Sequence, residues 1–476
     1  MTRTTSPSSA PNSEADEQTM SSDHGSAAGA TSNTSPIRIA QVLGRLGGGG
    51  AQQLALNLAI ALSEAGHESS AIALKKSALG EKPRPIGTTR VVELAIDDRK
   101  RHSLLLGAIR LRRLIRRHRL EVLHVHGSAS LPFCIAATRG MLRRPKFHFT
   151  WHDSGSVLEN ESPKKKRMML WALRHCEGIY GSSTAVTERL QRALDAAGIS
   201  TPRARVFRNG VPATDVTGLN ISREGDDTAA NDSQPPTLLW MGRLVPPKDP
   251  EALIRVAGRL KGEGFRFNIV MAGSTPGHLQ PFAERLQTLV NDFGLNETIE
   301  FPGWIDDPTP LLARSAIGVQ TSLTEGLSMA VLEQMMAGLP VVGTDVGDTA
   351  VALDDGRTGF VIPKEDDQRL YAALRPLLAD PSMRRSMGRA ARERAMESFS
   401  LKAMARNAVQ AYRNGPNALD DLEPTSSSGG NPTPGIATTS SPPTSTQPAS
   451  VSTHEAQSAT SNAKASCGVS EESIAR

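Results

Sequence analysis

Two carboxylates and a helix start carry the most pointed chemistry in this chain. Residues 321–345 read TSLTEGLSMAVLEQMMAGLPVVGTD. A polar turn leads into Glu325-Gly326-Leu327-Ser328, and a run with helical spacing follows, with Met329, Leu332 and Met336 on one stripe and Ala330, Glu333 and Ala337 on the next. Gly338 and Pro340 stop it, and Val341-Val342 starts a buried-type strand. Glu325 stands just before the predicted helix and Glu333 about two turns inside it. Gly326 lets the chain bend close to a ligand. The open amides of Leu327, Ser328 and Met329 offer a phosphate seat. A carboxylate cannot favour a phosphate, so Glu325 and Glu333 read as acceptors for sugar hydroxyls, one for a hexose and one for a ribose. The stretch points to a nucleotide-sugar pocket.

Three further groups fit that chemistry. Arg243 and Lys248 stand five apart across the turn Gly242-Arg243-Leu244-Val245-Pro246-Pro247-Lys248, after a predicted strand from Thr237 to Met241. They can converge on one diphosphate, the guanidinium as a two-pronged donor and the ammonium as a point charge. Glu121 to Gly127 is a short apolar strand ending at His124-Val125-His126-Gly127, where alternation puts both imidazoles on one face. Phe147 to Thr150 ends at Trp151-His152. Near the start, a strand over Ile37 to Leu43 runs into Gly47-Gly48-Gly49-Gly50 and a helix from Ala51 to Leu62. This order brings backbone amides toward a diphosphate or sugar. The G-x-G-x-x-G fingerprint of dinucleotide sites fails in every register, since Gln52 or Gln53 takes the third glycine place.

The pair Glu325 and Glu333 resembles the Glu, seven residues, Glu signature of the retaining glycosyltransferases of family 4. Similar to landmarks of that family are the glycine loop, His-x-His-Gly, Thr150-Trp151-His152, Ser182-Ser183, Asn209-Gly210-Val211, Gly242-Arg243-Leu244 with Lys248, and the Gly356 to Gly359 turn. The resemblance implies an α/β GT-B fold: two Rossmann-like parallel-sheet domains facing a central cleft. It implies transfer of a hexosyl or N-acetylhexosaminyl group from a nucleotide-diphosphate sugar to a lipid-linked or polysaccharide acceptor. Retention would give an α-bond, in cell-surface glycan synthesis. The implied catalytic set is Arg243, Lys248, Glu325, His152 and His126, with the histidines on the acceptor side. The implied donor-binding set is Gly48, Gly49, Gly50, Gly273, Trp304, Gly326, Leu327, Ser328, Met329 and Glu333, Trp304 lying in the base-contacting segment. No Asp-x-Asp ends a predicted strand, so metal independence is expected, with no cofactor and with UDP preferred to GDP. Leu327-Ser328-Met329 departs from the aromatic-glycine pair common after the first Glu, which touches hexose selectivity.

These residues need two folded lobes to hold them, and composition supplies the frame. The chain has 476 residues. Residues 1–36 and 416–476 are rich in Ser, Thr, Pro, Ala, Asn and Gly and read as disordered tails. Residues 37–215 form a predicted acceptor-binding domain, 216–236 a linker, 237–400 a nucleotide-sugar-binding domain, and 401–415 a helix crossing back to the first. Charge is uneven: residues 37–215 carry 30 Lys and Arg against 14 Asp and Glu, while 216–415 carry 21 against 25. The helix from Leu104 to Arg119 holds Arg110, Arg112, Arg113, Arg116, Arg117 and Arg119, and Lys164-Lys165-Lys166-Arg167 opens an apolar helix with Trp171. Both patterns suit an anionic membrane surface as well as an ordinary solvated face. Cys134, Cys176 and Cys467 sit at no metal or disulfide spacing. No 18-residue apolar run or leader is legible. A cytoplasmic protein, peripheral on the inner membrane face, is the expectation. Two rival readings are a GT-B nucleotide-sugar epimerase or hydrolase and a non-catalytic basic membrane adaptor. No nucleic-acid-binding module is recognisable.

Overall fold

The computed structural model describes residues 35–46, 50–76, 89–97, 99–152, 158, 161–200, 202–214 and 234–422. Gly48, Gly49, most of the linker, the first tail up to residue 34 and the last from 423 lie outside the described residues.

The first lobe alternates strand and helix: β1 (Arg38–Leu43), α1 (Gly50–Glu64), β2 (Glu68–Ala73), β3 (Arg90–Glu93), α2 (Arg101–Arg117), β4 (Val122–His126), α3 (Ser130–Thr138), β5 (Lys146–Trp151), α4 (Pro163–Leu173), β6 (Gly178–Gly181), α5 (Thr184–Ala196) and β7 (Ala204–Val206). The seven strands are parallel, in the order β3-β2-β1-β4-β5-β6-β7. A parallel sheet covered on both faces needs strands without an outward polar row. Every residue of β4 is buried, and so is all of β5 after Lys146.

The second lobe repeats the plan with β8 (Thr237–Met241), α6 (Pro250–Gly262), β9 (Asn268–Ala272), α7 (Gln280–Asp292), β10 (Ile299–Gly303), α8 (Thr309–Arg314), β11 (Ile317–Gln320), α9 (Met329–Met336), β12 (Val341–Thr344), α10 (Thr349–Ala352), β13 (Gly359–Ile362), α11 (Asp367–Ala379) and α12 (Pro381–Ser398). Its six parallel strands run β10-β9-β8-β11-β12-β13. In a doubly wound sheet the strand order reverses at one point, and a crevice opens at the strands' carboxyl ends there. The reversals fall between β1 and β4 and between β8 and β11. Those four strand ends carry Gly44, Gly127, Gly242 and the Thr321 loop.

A last helix, α13 (Leu401–Asn414), packs on α1 of the first lobe. Its Met404, Ala405, Ala408, Ala411 and Tyr412 share one buried cluster with Leu54, Leu58 and Leu62. Burying each of the larger side chains stabilises by about 1.5–3 kcal/mol. Pro416–Leu422, assigned by composition to the tail, forms a 3₁₀ turn instead. Leu419 is buried, and Asp420 pairs with Arg205 at 2.6 Å, so a short anchor precedes the polar tract.

Helix α2 starts at Arg101, three residues before the predicted Leu104, and buries Gly107, Leu111 and Ile115 along one stripe. Part of its basic face is structural. Arg110 donates to the Leu94 carbonyl at 2.9 Å, and Arg112 donates to those of Ala137 and Arg139 at 2.6 Å. Leu105, Leu106 and Ile109 stand exposed beside Arg113 and Arg116. Among the described residues no helix is long and apolar enough to cross a membrane.

Candidate active site

The second lobe's candidate residues sit at neighbouring strand ends. Gly242 and Arg243 follow β8, Gly273 follows β9, Trp304 follows β10, and the Thr321 loop follows β11. Since β10, β9, β8 and β11 are adjacent, the groups line one edge of the sheet. Gly273 is required by packing: a Cβ there would stand 1.7 Å from the Gly242 carbonyl oxygen. Its amide also donates to the Gly303 carbonyl at 2.8 Å, tying the ends of β9 and β10 together. Trp304 is 63% exposed, and its indole N–H donates to Asp306 at 2.8 Å, leaving a ring face open to solvent.

The Pro-rich turn is tied directly to the loop carrying the first carboxylate. Leu323 N donates to the Pro247 carbonyl at 2.9 Å, and the Thr321 hydroxyl lies 3.0 Å and 2.7 Å from the carbonyls of Lys248 and Asp249. These bonds hold the Lys248 ammonium against the Glu325 carboxylate in an ion pair. Glu325 also accepts from the Ser322 hydroxyl at 2.8 Å. Arg243 is exposed, and its backbone amide lies alongside Gly273.

Helix α9 begins at Met329 with Ser328 at its N-cap, so Glu333 lies just over one turn inside it, not two. The residues from Gly326 to Ser328 are spent on the loop. The amides of Leu327, Ser328 and Met329 have no protein acceptor among the described residues. They remain available as donors at a helix N-terminus. Glu333 is largely buried without an ion-pair partner among the described residues, and burial pushes its carboxyl up to about 7.

The sequence gives Gly326 room for the chain to approach a ligand, and the structure adds a second glycine packed behind it. A Cβ on Gly326 would meet Ser182 Oγ and Ser183 Oγ at an ordinary 3.7 Å. The residue that must be glycine is Gly347, at φ +58°, where a Cβ would stand 2.0 Å from the Gly326 oxygen. Beside it, the buried Asp348 donates its amide to Gly326 O at 2.7 Å and accepts from Thr184 N, the first turn of α5, at 2.9 and 3.1 Å. Arg208 lies 3.9 Å from the same carboxylate. The Glu325–Gly326 loop therefore faces the serine pair of the first lobe, with Asp348 bridging the two. No motif in the sequence marks Gly347 or Asp348; the only signal is Asp345-Val346-Gly347-Asp348 directly after a strand.

The first lobe contributes a cavity of about 380 Å³ at the β1–β4 reversal, lined by Gly44, Gln52, His126, Gly127, Trp151 and His152 among others. His126 and His152 are joined, Nδ1 to Nε2, at 2.9 Å. Behind them His126 Nε2 meets Gln41 Oε1 at 2.9 Å, and His124 meets Tyr412 and Thr150 at 2.7 Å each. Burial holds the two strand-end histidines and the two within the strands neutral: His152 is lowered to about 4, His148 to about 3, and His124 and His126 well below the usual range. Gly50 opens α1, whose Ala51 and Gln52 form one wall of the cavity. Among the described residues no group of three or more His, Cys, Asp and Glu gathers in a metal-binding arrangement.

This geometry meets independent likeness. Residues 48–215 match the family described as Glycosyltransferase Family 4, and residues 223–394 match the one described as Glycosyl transferases group 1. The chain is a group 1 glycosyltransferase of GT-B fold. It is 28% identical over 225 residues to the putative colanic acid biosynthesis glycosyltransferase WcaL of Salmonella typhimurium, a match covering 45% of this chain and 52% of that protein. It is 28% identical over 316 residues to the D-inositol 3-phosphate glycosyltransferase of Kribbella flavida, covering 62% and 71%. The match thus spans about half the length of the first relative. In fold it is similar to Anabaena Alr3699/HepE solved in complex with UDP, with TM-score 0.61, 17% identity, and coverage of 79% of this chain and 100% of that one.

Proposed function

We propose that this enzyme transfers a hexosyl or N-acetylhexosaminyl group from a nucleotide-diphosphate sugar, UDP in preference to GDP, to a lipid-linked or saccharide acceptor in surface glycan synthesis. The observation that carries the reading is the Lys248–Glu325 pair at the strand reversal, with the amides that have no acceptor among the described residues following it in the chain and the first lobe's serines opposite. In this reading Arg243, Lys248 and the amides of Leu327 and Ser328 receive the diphosphate as its negative charge grows. Preorganised donors of this kind contribute about 3 kcal/mol each to the barrier. Glu325 would exchange Lys248 for hexose hydroxyls, Glu333 would accept from the ribose, and Trp304 would cover the base. The bond from anomeric carbon to phosphate oxygen breaks as the acceptor oxygen attacks the same face. The acceptor proton passes to the departing phosphate, and the product is an α-glycoside. No step calls for a metal. The basic, partly apolar surface of α2 and α4 would rest on an anionic bilayer.

Incubating radiolabelled nucleotide sugars with the protein and a membrane extract tests the transfer. Label moving into extractable glycan with an α-anomeric signal, undiminished by EDTA, is the expected result. Nucleotide release that ignores every acceptor would replace transfer with hydrolysis or epimerisation. Sedimentation with anionic vesicles should weaken steeply with salt.

A further inference from the structure

With the Gln41 amide in the orientation it has in this structure, the polar chain behind the cavity takes one assignment of protons. The Gln41 amide is oriented with its carbonyl toward His126 Nε2, 2.9 Å away, and its NH₂ toward the Tyr412 hydroxyl at 3.5 Å. A carbonyl only accepts, so His126 carries its proton on Nε2. The ring is neutral, so its Nδ1 is bare and must accept from His152 Nε2–H at 2.9 Å. His152 is neutral as well, and its own Nδ1 is left without a proton. That atom has no partner among the described residues, and the ring lines the cavity. At the far end, the Tyr412 hydroxyl accepts from Gln41 and donates to His124 Nδ1 at 2.7 Å, and His124 Nε2–H donates to Thr150 Oγ1 at 2.7 Å.

We infer that Gln41 and Tyr412 are positioning residues that lock His152 in the Nε2–H tautomer, so that it presents a bare Nδ1 to the cavity as an acceptor for a hydroxyl of the bound sugar. Tyr412 belongs to the helix that returns from the second lobe, so docking of that helix sets the hydrogen-bonding sense of a ring in the first. Running the chain in the opposite sense would turn Gln41 over and give His152 Nδ1 a proton, offering the cavity a donor instead. A sugar hydroxyl can donate to the bare nitrogen or accept from a protonated one, whereas a ligand atom that only accepts could bind only the protonated one. The role for His152 rests on the proposed glycosyl transfer; the tautomer does not.

Two-bond ¹H–¹⁵N spectra of the full-length protein at neutral pH, with His152 assigned by loss of its signals in His152→Ala, read the tautomer directly. The expected pattern is an unprotonated Nδ1 and a protonated Nε2. The reverse pattern, or an even mixture, would overturn the assignment. In Gln41→Met a mixture should appear, and kcat/KM should fall about tenfold, the worth of one oriented hydrogen bond. In the His152→Ala background the same change should cost nothing further. An unchanged tautomer, or an equal loss in both backgrounds, would reduce Gln41 to a packing residue. Tyr412→Phe keeps the buried ring and loosens the amide, so a smaller shift in the same direction is expected should Gln41→Met fail to fold. If no nucleotide sugar is turned over, the proposed function fails while the spectra still decide this assignment.

Discussion

At the scale of single residues, Glu333 ties stability to function. Its folded value of about 7 lies above the ordinary 4.5, so the folded chain holds a proton that the unfolded chain releases between those two values. The stabilisation is complete below 4.5 and is lost as pH rises through 7. A neutral replacement should therefore help where the carboxylate is forced to ionise. Glu333→Gln is expected to gain up to about 3 kcal/mol in urea unfolding at pH 8 and little at pH 5. Donor affinity should move the other way: it falls in Glu333→Gln, and in the native protein it falls as pH drops through 7 and the acceptor is protonated. Titration with a nucleotide sugar across that window checks the sign. Lys248→Ala leaves Glu325 with only the Ser322 hydroxyl among the bonds described above. Turnover should drop about 10²- to 10³-fold while circular dichroism stays native.

At the scale of elements, the decisive piece is the loop between β12 and α10. Gly347 permits the approach to Gly326, and Asp348 joins that loop to the first turn of α5. Gly347→Ala would force a side chain into the left-handed region and against the Gly326 oxygen. It should cost about 1–2 kcal/mol from the backbone alone and displace the amides at the start of α9. Asp348→Ala removes a carboxylate from a helix N-terminus, worth about 1–2 kcal/mol. Both variants should raise the KM for donor more than they lower the thermal midpoint, a split visible by pairing kinetics with calorimetry. Had this loop mattered only to packing, stability would fall and KM would stay.

At the scale of the whole molecule, four neutral histidines are stacked in the middle of one sheet. Their folded values are depressed, to about 4 in His152 and about 3 in His148, so their contribution to stability is present above about 6.5 and is lost as pH falls below it. For His148 and His152 the exclusion is worth about 2 kcal/mol each over that interval. Glu333 works in the opposite direction, but it is one group against four. The urea midpoint should fall sharply between pH 6.5 and 4.5, with proton uptake on unfolding. A flat profile there would contradict the burial of this cluster.

The sequence by itself determined the class of fold and the residues able to do the chemistry. Alternating apolar strands and amphipathic helices specify a parallel sheet through local period alone. Glu325, Arg243, Lys248, His126 and His152 stand at the ends of those elements and Glu333 inside one, where their spacing is legible. Tertiary structure decided what depends on residues far apart in the chain: that Lys248 meets Glu325 across 77 positions, that the close approach to the Gly326 oxygen requires a glycine at 347, and that Tyr412 closes a polar chain begun at Gln41. A polar Gln41 inside an apolar strand hinted at that chain. The physical reason for the division is that periodicity and propensity act over a few residues, whereas hydrogen bonds and steric limits act through space, and the order of strands in the sheet sets which distant residues become neighbours.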